Sequence, residues 1–277
     1  MSRRLRNIAQ QTMEIVRAGG YETPAGHEVS IAASVAAAEA GTRLYGPDPV
    51  PVTPDRDFTT VIEVTAESSL EAARRLVSAA PDPVAVLGFA SARNPGGGFL
   101  NGAQAQEEAL CRSSALYACL LRVPEFYDHH RVERDVFYSD RVIHSPGVPV
   151  FRDDRGTLLE EPYRAGFLTA PAPNAGVILR TTPELAGRIP AALADRAERV
   201  LETAAVCGYR RLVLGAWGCG VFRNDPAQVA NAFQALLMAG GRFSGHFEHI
   251  VFGVLDRTPD AATRRAFETA FHHGALR

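Results

Sequence analysis

The sequence has 277 residues, a formal net charge of −2 at pH 7 and 46% hydrophobic residues. Such a chain fits one large or two small globular domains, and its balanced charge lacks the basic stripe of a general nucleic-acid binder. No stretch approaches the roughly 20 apolar residues of a membrane span, and the basic start, Met1–Arg6, precedes residues too polar for a signal-peptide core. We therefore expect a soluble, cytoplasmic protein with no membrane partner and no sequence-specific nucleic-acid partner.

The N-terminal region is predicted to be mainly helical. Apolar spacing predicts an amphipathic helix over about residues 3–18, and the alanine-rich segment from Ser30 to Leu44 predicts a second helix. Four prolines between Tyr45 and Pro54 exclude a regular helix there, so this segment is interpreted as an extended connection. We predict an N-terminal helical extension over 1–55 and a core domain over 56–277, together one compact unit.

After this connection, predicted strands and helices alternate. Strands are predicted at 60–65, 84–90, 136–144, 177–180, 211–215 and 250–255. Helices are predicted at 70–79, 106–121, 190–206, 226–238 and 261–271. Ser68 or Ser69 is expected to cap the helix at 70–79, and Asp225 the helix at 226–238. The alternation predicts an α/β sandwich with a parallel or mixed central sheet. Because ligands bind where loops leave the carboxyl ends of such strands, two glycine-rich loops are of interest, 93–105 and 216–224.

The first loop contains three consecutive glycines, Gly96, Gly97 and Gly98, between a predicted buried strand and a helix. Glycines let backbone N–H groups approach a ligand closely, and successive N–H groups in a turn, with a helix N-terminus behind them, bind anions. The loop leads into Gln106–Glu107–Glu108. A flexible hinge followed by acids that suit a helix N-terminus is the alternative interpretation.

The second loop follows another predicted strand. Gly218, Cys219 and Gly220 form a backbone-exposing turn, and Phe222 can offer an aromatic face to a base or a ribose. Taken alone, the pattern also fits a tight turn in which Trp217 and Phe222 fill the core. Two glycine loops after two strands suit opposite sides of one diphosphate.

Together these motifs resemble the signature of a known family. The three glycines, seven intervening residues and Gln106–Glu107–Glu108 look like the signature of the poly(ADP-ribose) glycohydrolases, and Gly218–Phe222 resembles the second diphosphate loop of the macrodomain fold on which that family is built. The pattern is similar to the shorter, bacterial-type members. The resemblance implies a macrodomain-like three-layer α/β/α sandwich with a mixed central sheet and an N-terminal helical extension.

The resemblance also implies roles for individual residues. Glu108 would be the catalytic residue, Glu107 would position the hydroxyls of the terminal ribose, and Gln106 would help to order the site. Asn94 would contact the same ribose, and Phe222 would hold it in place. The other residues implied to bind the substrate are Gly96, Gly97, Gly98, Gly218, Cys219, Gly220 and Val221. The expected action is exo, with one ADP-ribose released at each cut.

The chemistry of two neighbouring acids agrees with this activity. Glycoside cleavage passes through an oxocarbenium-like state and usually uses two carboxyl groups. We hypothesise that Glu108 serves twice, first protonating the leaving ribose oxygen and then taking a proton from the attacking water. The substrate's diphosphate would stabilise the cation, and no metal or cofactor is required. The expected partners are poly(ADP-ribose), ADP-ribose and ADP-ribosylated proteins.

The remaining cysteines and histidines fit structural roles. None of the four cysteines lies in a C-x-x-C pair, and Cys111 and Cys119 are expected to be buried. Cys219 has no neighbouring histidine base, which disfavours a nucleophilic role. The pairs His129–His130 and His272–His273 are expected at the surface.

Two assignments stay open in the sequence. An acidic residue is expected to contact the adenine amino group, with Glu63 and Glu67 as equal candidates. A non-catalytic ADP-ribose reader would need the glycines and Phe222 but no acid at position 108, and a mono-ADP-ribosyl hydrolase is not separated from a glycohydrolase. A dinucleotide oxidoreductase is disfavoured because the glycine loop is not G-x-G-x-x-G.

Overall fold

A seven-stranded mixed sheet forms the middle of the fold in the computed structural model, which describes residues 2–272. The strands are β1 (Gly20–Glu22), β2 (Glu28–Ser30), β3 (Arg43–Tyr45), β4 (Val61–Thr65), β5 (Val84–Phe89), β6 (Val142–Arg152), β7 (Leu158–Ala170), β8 (Arg211–Gly215) and β9 (His249–Gly253). The helices are α1 (Arg3–Ala18), α2 (Ala32–Gly41), α3 (Ser69–Ala79), α4 (Gln106–Ser113), α5 (Leu116–Leu120), α6 (Pro124–Glu133), α7 (Ala175–Thr181), α8 (Ile189–Val206), α9 (Pro226–Leu237) and α10 (Ala262–His272).

The strand order is β3-β6-β7-β5-β8-β9-β4, and β1 pairs with β2 in a separate hairpin. The five strands β7, β5, β8, β9 and β4 run parallel, whereas β6 is antiparallel to both of its neighbours. The loops that follow β4, β5, β7, β8 and β9 therefore leave the sheet at one edge.

Helices cover both faces of the sheet. On β5, Ala85 and Leu87 join the core formed with α7 to α10, while Val84 and Val86 join the core formed with α1 to α6. Successive side chains of a strand point to opposite faces, so a strand buried on both sides is apolar throughout. The predicted three-layer α/β/α sandwich with a mixed sheet is confirmed.

The N-terminal region contains more than helices. The helix predicted over 3–18 is confirmed as α1, which Ser2 caps at its start and Gly19 at its end. The second predicted helix is shorter than expected, because residues 43–45 form β3 and pair with β6 at the edge of the main sheet. The proposed domain boundary at residue 55 stays a prediction, and the segment before it contributes a strand to the same sheet.

Two of the predicted strands are wrong. The strand expected at 136–144 begins only at Val142 and continues to Arg152. Residues 177–180 are helical, since α7 begins after Asn174, whose side chain accepts a hydrogen bond from the Val177 N–H at 3.2 Å. The sequence interpretation also missed α6 and β7.

The helix predicted over 106–121 is interrupted. Ser114 pairs with Val150 of β6 and donates its hydroxyl to the Leu110 carbonyl at 2.7 Å, which ends α4 and lets α5 start in a new direction. Within residues 2–272, no helix is both long enough and apolar enough to cross a membrane.

Candidate active site

The two glycine-rich loops lie side by side. The first loop (93–105) follows β5 and the second loop (216–224) follows β8, and these strands are parallel neighbours. Eight buried side-chain polar atoms lack a hydrogen-bond partner within residues 2–272, and six belong to residues at the carboxyl ends of strands or in the segments that follow. These six are Thr65 Oγ1, Arg93 Nε, Glu107 Oε1, Glu108 Oε2, Thr169 Oγ1 and Asn224 Oδ1. Because buried polar groups normally have partners, this concentration indicates a ligand site.

Glu107 and Glu108 begin α4 and hold the first loop through different contacts. Glu107 is 3% exposed and its Oε2 accepts a hydrogen bond from the Ser91 N–H at 2.7 Å. Glu108 is 8% exposed and its Oε1 accepts from the Gly98 N–H at 2.8 Å. Each carboxyl group therefore has one oxygen fixed by the backbone and one buried oxygen left free.

Gly97 makes this arrangement possible. Its φ is +56°, and a Cβ atom added there would lie 2.5 Å from Glu108 Oε1 and 3.2 Å from Glu107 Oε2. Only a residue without a Cβ lets the backbone pass this close to both carboxyl groups. The glycine triplet and the acid pair thus form one packed unit.

The two acids differ in their surroundings. Burial raises the pKa of Glu107 well above its usual value of 4.5, and the neighbouring charge of Glu108 adds to the effect, while the bond from the Ser91 N–H opposes it. Burial consequently favours the uncharged form of Glu107 more than it would for an exposed carboxyl group.

Gln106 connects three elements rather than facing the loops. Its Nε2 donates to the Leu87 carbonyl at 2.8 Å and to Ser69 Oγ at 3.0 Å, and its Oε1 accepts from the Phe89 N–H at 2.9 Å. These bonds fix the start of α4 against the end of β5 and the start of α3. These three bonds occupy both the amide nitrogen and the amide oxygen of the side chain.

Two of the three backbone N–H groups of the glycine triplet have partners within the protein, and binding of substrate by this triplet stays a prediction. The Gly97 N–H donates to the Asn94 carbonyl at 2.9 Å, and the Gly98 N–H is taken by Glu108. In the second loop, by contrast, the N–H groups of Gly220, Val221 and Phe222 have no acceptor within residues 2–272. Three consecutive free N–H groups of this kind can form an anion-binding concavity.

The second loop is held by Asn224, a residue that the sequence interpretation missed. Its Nδ2 donates to the Pro173 carbonyl at 2.8 Å and to the Gly218 carbonyl at 3.2 Å. Gly218 has a φ of +72°, and a Cβ there would lie 2.5 Å from both Asn224 Nδ2 and Ala172 Cβ. The only sign in the sequence was a polar residue immediately before the Asp225 helix cap.

The aromatic residues of the second loop have separate places. Trp217 is buried and donates from Nε1 to the Ala170 carbonyl at 3.0 Å, so it belongs to the core. Phe222 is half-buried and its ring lies 5.8 Å from that of Tyr138, a residue with a φ of +61° that the sequence interpretation did not name. Phe222 therefore lies in the second loop with its ring beside that of Tyr138.

The other residues expected at the site are also located. Asn94 is exposed and its carbonyl closes the glycine turn. Cys219 is half-buried in the second loop, where burial raises the pKa of its thiol to about 12, which disfavours the nucleophilic thiolate. Both Glu63 and Glu67 are paired with Arg75, at 3.1 and 2.7 Å, and the choice between them for adenine stays open.

The histidines have structural surroundings. His130 is buried, not at the surface as predicted: its Nδ1 donates to the Phe126 carbonyl at 2.7 Å and its Nε2 accepts from Ser139 at 2.8 Å. His129 accepts from Arg141 at 2.9 Å. His272 is exposed, and His273 lies outside the described residues. No group of three or more His, Cys, Asp or Glu side chains within 2–272 is arranged to hold a metal ion.

Comparison with known proteins identifies the family. The family model for the catalytic domain of microbial-type PARG matches residues 9–153. The crystal structure of poly(ADP-ribose) glycohydrolase from Thermomonospora curvata bound to the inhibitor ADP-HPD is 56% identical, covers 98% of this chain and 100% of that chain, and superposes with a TM-score of 0.91. The enzyme from Deinococcus radiodurans in complex with ADP-ribose is 46% identical over 86% of this chain and 97% of that chain, with a TM-score of 0.82. No curated protein matches the sequence. The chain belongs to the microbial-type poly(ADP-ribose) glycohydrolase family.

Proposed function

We propose that this chain hydrolyses the ribose–ribose O-glycosidic bonds of poly(ADP-ribose), the reaction of its family, with Glu108 as the residue that moves the proton. The observation that carries the assignment is the position of the Glu108 carboxyl group. Its Oε1 is fixed by the Gly98 N–H, and its Oε2 is buried without a partner at the edge where the loops meet. A carboxyl group with one oxygen anchored and one free is oriented for proton transfer to a bound substrate.

The proposed reaction has two steps. Protonated Glu108 gives its proton to the bridging oxygen as the bond from that oxygen to the anomeric carbon breaks, so the bonding electrons leave with the oxygen and an oxocarbenium ion forms. Water then attacks the anomeric carbon, and the Glu108 carboxylate takes the proton that the water loses. The residue ends protonated, as it began, and neither step uses a metal or a cofactor.

Glu107 and the second loop are proposed to hold the terminal unit. The free Oε1 of Glu107 would form a hydrogen bond with a ribose hydroxyl. The free N–H groups of Gly220, Val221 and Phe222 would bind the diphosphate, whose charge stabilises the oxocarbenium ion. The ligands of the two related crystal structures, ADP-HPD and ADP-ribose, support this class of substrate.

The same proposal has three further parts, which rest on resemblance and composition. The enzyme acts in the exo mode, the polymer is carried by ADP-ribosylated proteins, and the location is cytoplasmic. The products distinguish the mode of cleavage. An exo enzyme releases only ADP-ribose from the earliest times, whereas an endo enzyme releases longer fragments first.

The central test compares the wild type with Glu108→Gln on purified poly(ADP-ribose), with free ADP-ribose quantified over time. We expect Glu108→Gln to lower kcat by about 10²–10⁴-fold, the usual contribution of a positioned acid and base. Glu125→Gln is the matched control, since Glu125 lies in the first turn of α6 but is exposed. Full activity of Glu108→Gln would refute the assignment. A wild type that binds ADP-ribose without releasing it from polymer would instead indicate a reader or a mono-ADP-ribosyl hydrolase.

A further inference from the structure

Four arginines surround a small cavity beside α4. Arg4 comes from α1, Arg112 from α4, Arg152 from the end of β6 and Arg155 from the turn between β6 and β7. The cavity has a volume of about 50 Å³, and Ala109, the residue after Glu108, also lines it. The cavity is thus next to the catalytic helix, yet none of its lining residues belongs to the two glycine-rich loops.

Two of these arginines are buried with no carboxylate in ion-pair contact among the described residues. Arg152 is 5% exposed and Arg112 is 9% exposed. Within residues 2–272, no carboxylate lies within 4.0 Å of any of the four guanidinium groups. Arg152 donates to the Gly156 carbonyl at 2.9 Å and to Thr12 Oγ1 at 3.3 Å, and Arg112 donates to the Ala103 carbonyl at 2.5 Å. Neutral oxygens are therefore their only hydrogen-bond partners in this part of the chain.

A buried charge that lacks an opposite charge is costly. Burial lowers the pKa of both Arg112 and Arg152, but an arginine keeps its proton under all ordinary conditions. Proteins rarely leave such groups unpaired, because the lost hydration is recovered only by a charged partner with good geometry. The two buried guanidinium groups therefore favour an anion in the cavity between them.

The two aspartates at this cavity make their hydrogen bonds to other groups. Asp153 Oδ1 closes the β6–β7 turn by accepting from the N–H groups of Arg155 at 2.9 Å and Thr157 at 2.8 Å. Asp154 accepts a hydrogen bond from the Ser68 hydroxyl. The lining therefore holds four cations and two anions, and Glu108 is a further carboxyl group whose charge acts on Arg112.

We propose that this cavity is a binding site for a phosphate group, taken either from inorganic phosphate or from the ADP-ribose polymer. Guanidinium groups bind phosphate through paired N–H donors, and the cavity exceeds the roughly 10–15 Å³ that one water molecule needs. A bound phosphate would connect α1, α4 and the β6–β7 turn. On α4 it would contact Arg112, which is one helical turn after Glu108. The site would exist whether or not Glu108 is the catalytic residue.

Calorimetric titration of the purified protein with inorganic phosphate, at constant ionic strength in chloride, tests the site. Arg4→Gln and Arg155→Gln remove exposed cavity arginines without touching the core, and each is expected to weaken phosphate binding about tenfold. Arg3→Gln is the matched control, since Arg3 is the exposed neighbour of Arg4 in the same helical turn and does not line the cavity. Thermal unfolding in chloride checks that all three variants fold.

Kinetics with poly(ADP-ribose) distinguish the two sources of phosphate. If the polymer occupies the cavity, Arg4→Gln raises KM and leaves kcat unchanged, and inorganic phosphate inhibits this variant less than the wild type. If only free phosphate binds, Arg4→Gln has the same KM for the polymer as the wild type, while calorimetric titration still shows its weaker binding of inorganic phosphate. Phosphate binding by Arg4→Gln and Arg155→Gln that equals binding by Arg3→Gln would overturn the proposal, as would a wild type that binds no phosphate.

Discussion

Replacing Gly97 by alanine tests whether the glycine loop serves to place Glu108. The new Cβ would lie 2.5 Å from Glu108 Oε1, well inside van der Waals contact, at a backbone φ of +56°. The clashing atom is the end of a flexible side chain, so the least costly relief is rotation of the Glu108 carboxyl group. That rotation breaks the 2.8 Å bond from the Gly98 N–H and moves the free oxygen away from its position.

The expected magnitudes separate activity from stability. The left-handed φ costs a residue with a Cβ roughly 1–2 kcal/mol, which lowers Tm by about 2–4 °C for each kcal/mol in a protein of this size. Gly147→Ala is a matched control, because Gly147 has a φ of +55° and nothing lies within 4 Å of the added Cβ. A displacement of about 1 Å at a reacting group lowers the rate about 100-fold.

We therefore expect Gly97→Ala to lose the stability that Gly147→Ala loses plus about 1–3 kcal/mol for the broken bond between the Gly98 N–H and Glu108, while only Gly97→Ala loses about 100-fold in kcat. The assays are thermal unfolding and initial-rate release of ADP-ribose from poly(ADP-ribose), with both variants prepared in parallel. A Gly97→Ala enzyme whose kcat stays within threefold of the Gly147→Ala value would refute the reasoning about the placement of Glu108.

Three further changes have expected outcomes. Because burial raises the Glu107 pKa above its usual 4.5, the stability that this carboxyl contributes is fully present below pH 4.5 and is lost as pH rises through the folded-state pKa. The Tm of Glu107→Gln should therefore rise relative to that of the wild type as pH rises, whereas the Tm of Glu125→Gln, which changes an exposed residue, should not. If the difference in Tm from the wild type depended on pH in the same way for both variants, the burial argument would be contradicted. Asn224→Ala removes the hydrogen bonds to the Pro173 and Gly218 carbonyls. It should lower the free energy of unfolding in urea by about 1–3 kcal/mol and raise KM. An unchanged KM would show that Asn224 does not contribute to the ligand site. Cys219→Ser should keep kcat in the same assay, and a 100-fold loss would restore a nucleophilic role for the thiol.

The parallel centre of the sheet was predictable, and its antiparallel side was not. β5 and β8 are short apolar runs that lead into glycine turns, which is the pattern of a buried parallel strand. In β6, Pro146 and Gly147 are typical strand breakers, but a register shift between Ser145 and Val148 lets the strand continue past them. Such a bulge depends on the partner strand and leaves no local signal.

The error at α7 has a different cause. Val177, Ile178 and Leu179 form a short apolar run, which periodicity alone does not assign to a strand or a helix. In the structure Ile178 is buried and Leu179 is 55% exposed, as on a helix that packs on one side. The Asn174 cap decides between the two, and it was visible in the sequence but not used.

At the site, sequence predicted which residues come together but not what each backbone group does. The position of the glycines beside the acid pair was predictable because both follow the same strand. The partner of the Gly98 N–H was not predictable. The same sequence is compatible with a free N–H group at Gly98 and with one that donates to Glu108, ten residues later. Asn224 donates a hydrogen bond to the Pro173 carbonyl, 51 residues away in the sequence. Pro173 follows β7 and Asn224 follows β8, and these segments meet only because both strands pair with β5.

These contacts explain why the glycine triplet and the acid triplet are a specific signal only together. Gly97 has to lack a Cβ because Glu108 and Glu107 pack against it, and Glu108 is held in place because Gly98 donates to it. The seven residues between them make one short turn over Phe99–Asn101, and Ala103 packs against Gly98 to bring the chain back to the start of α4. An insertion or deletion in this turn would move the carboxyl groups relative to the glycines and remove the contact that each provides for the other. The spacing is therefore a geometric requirement of the acid pair.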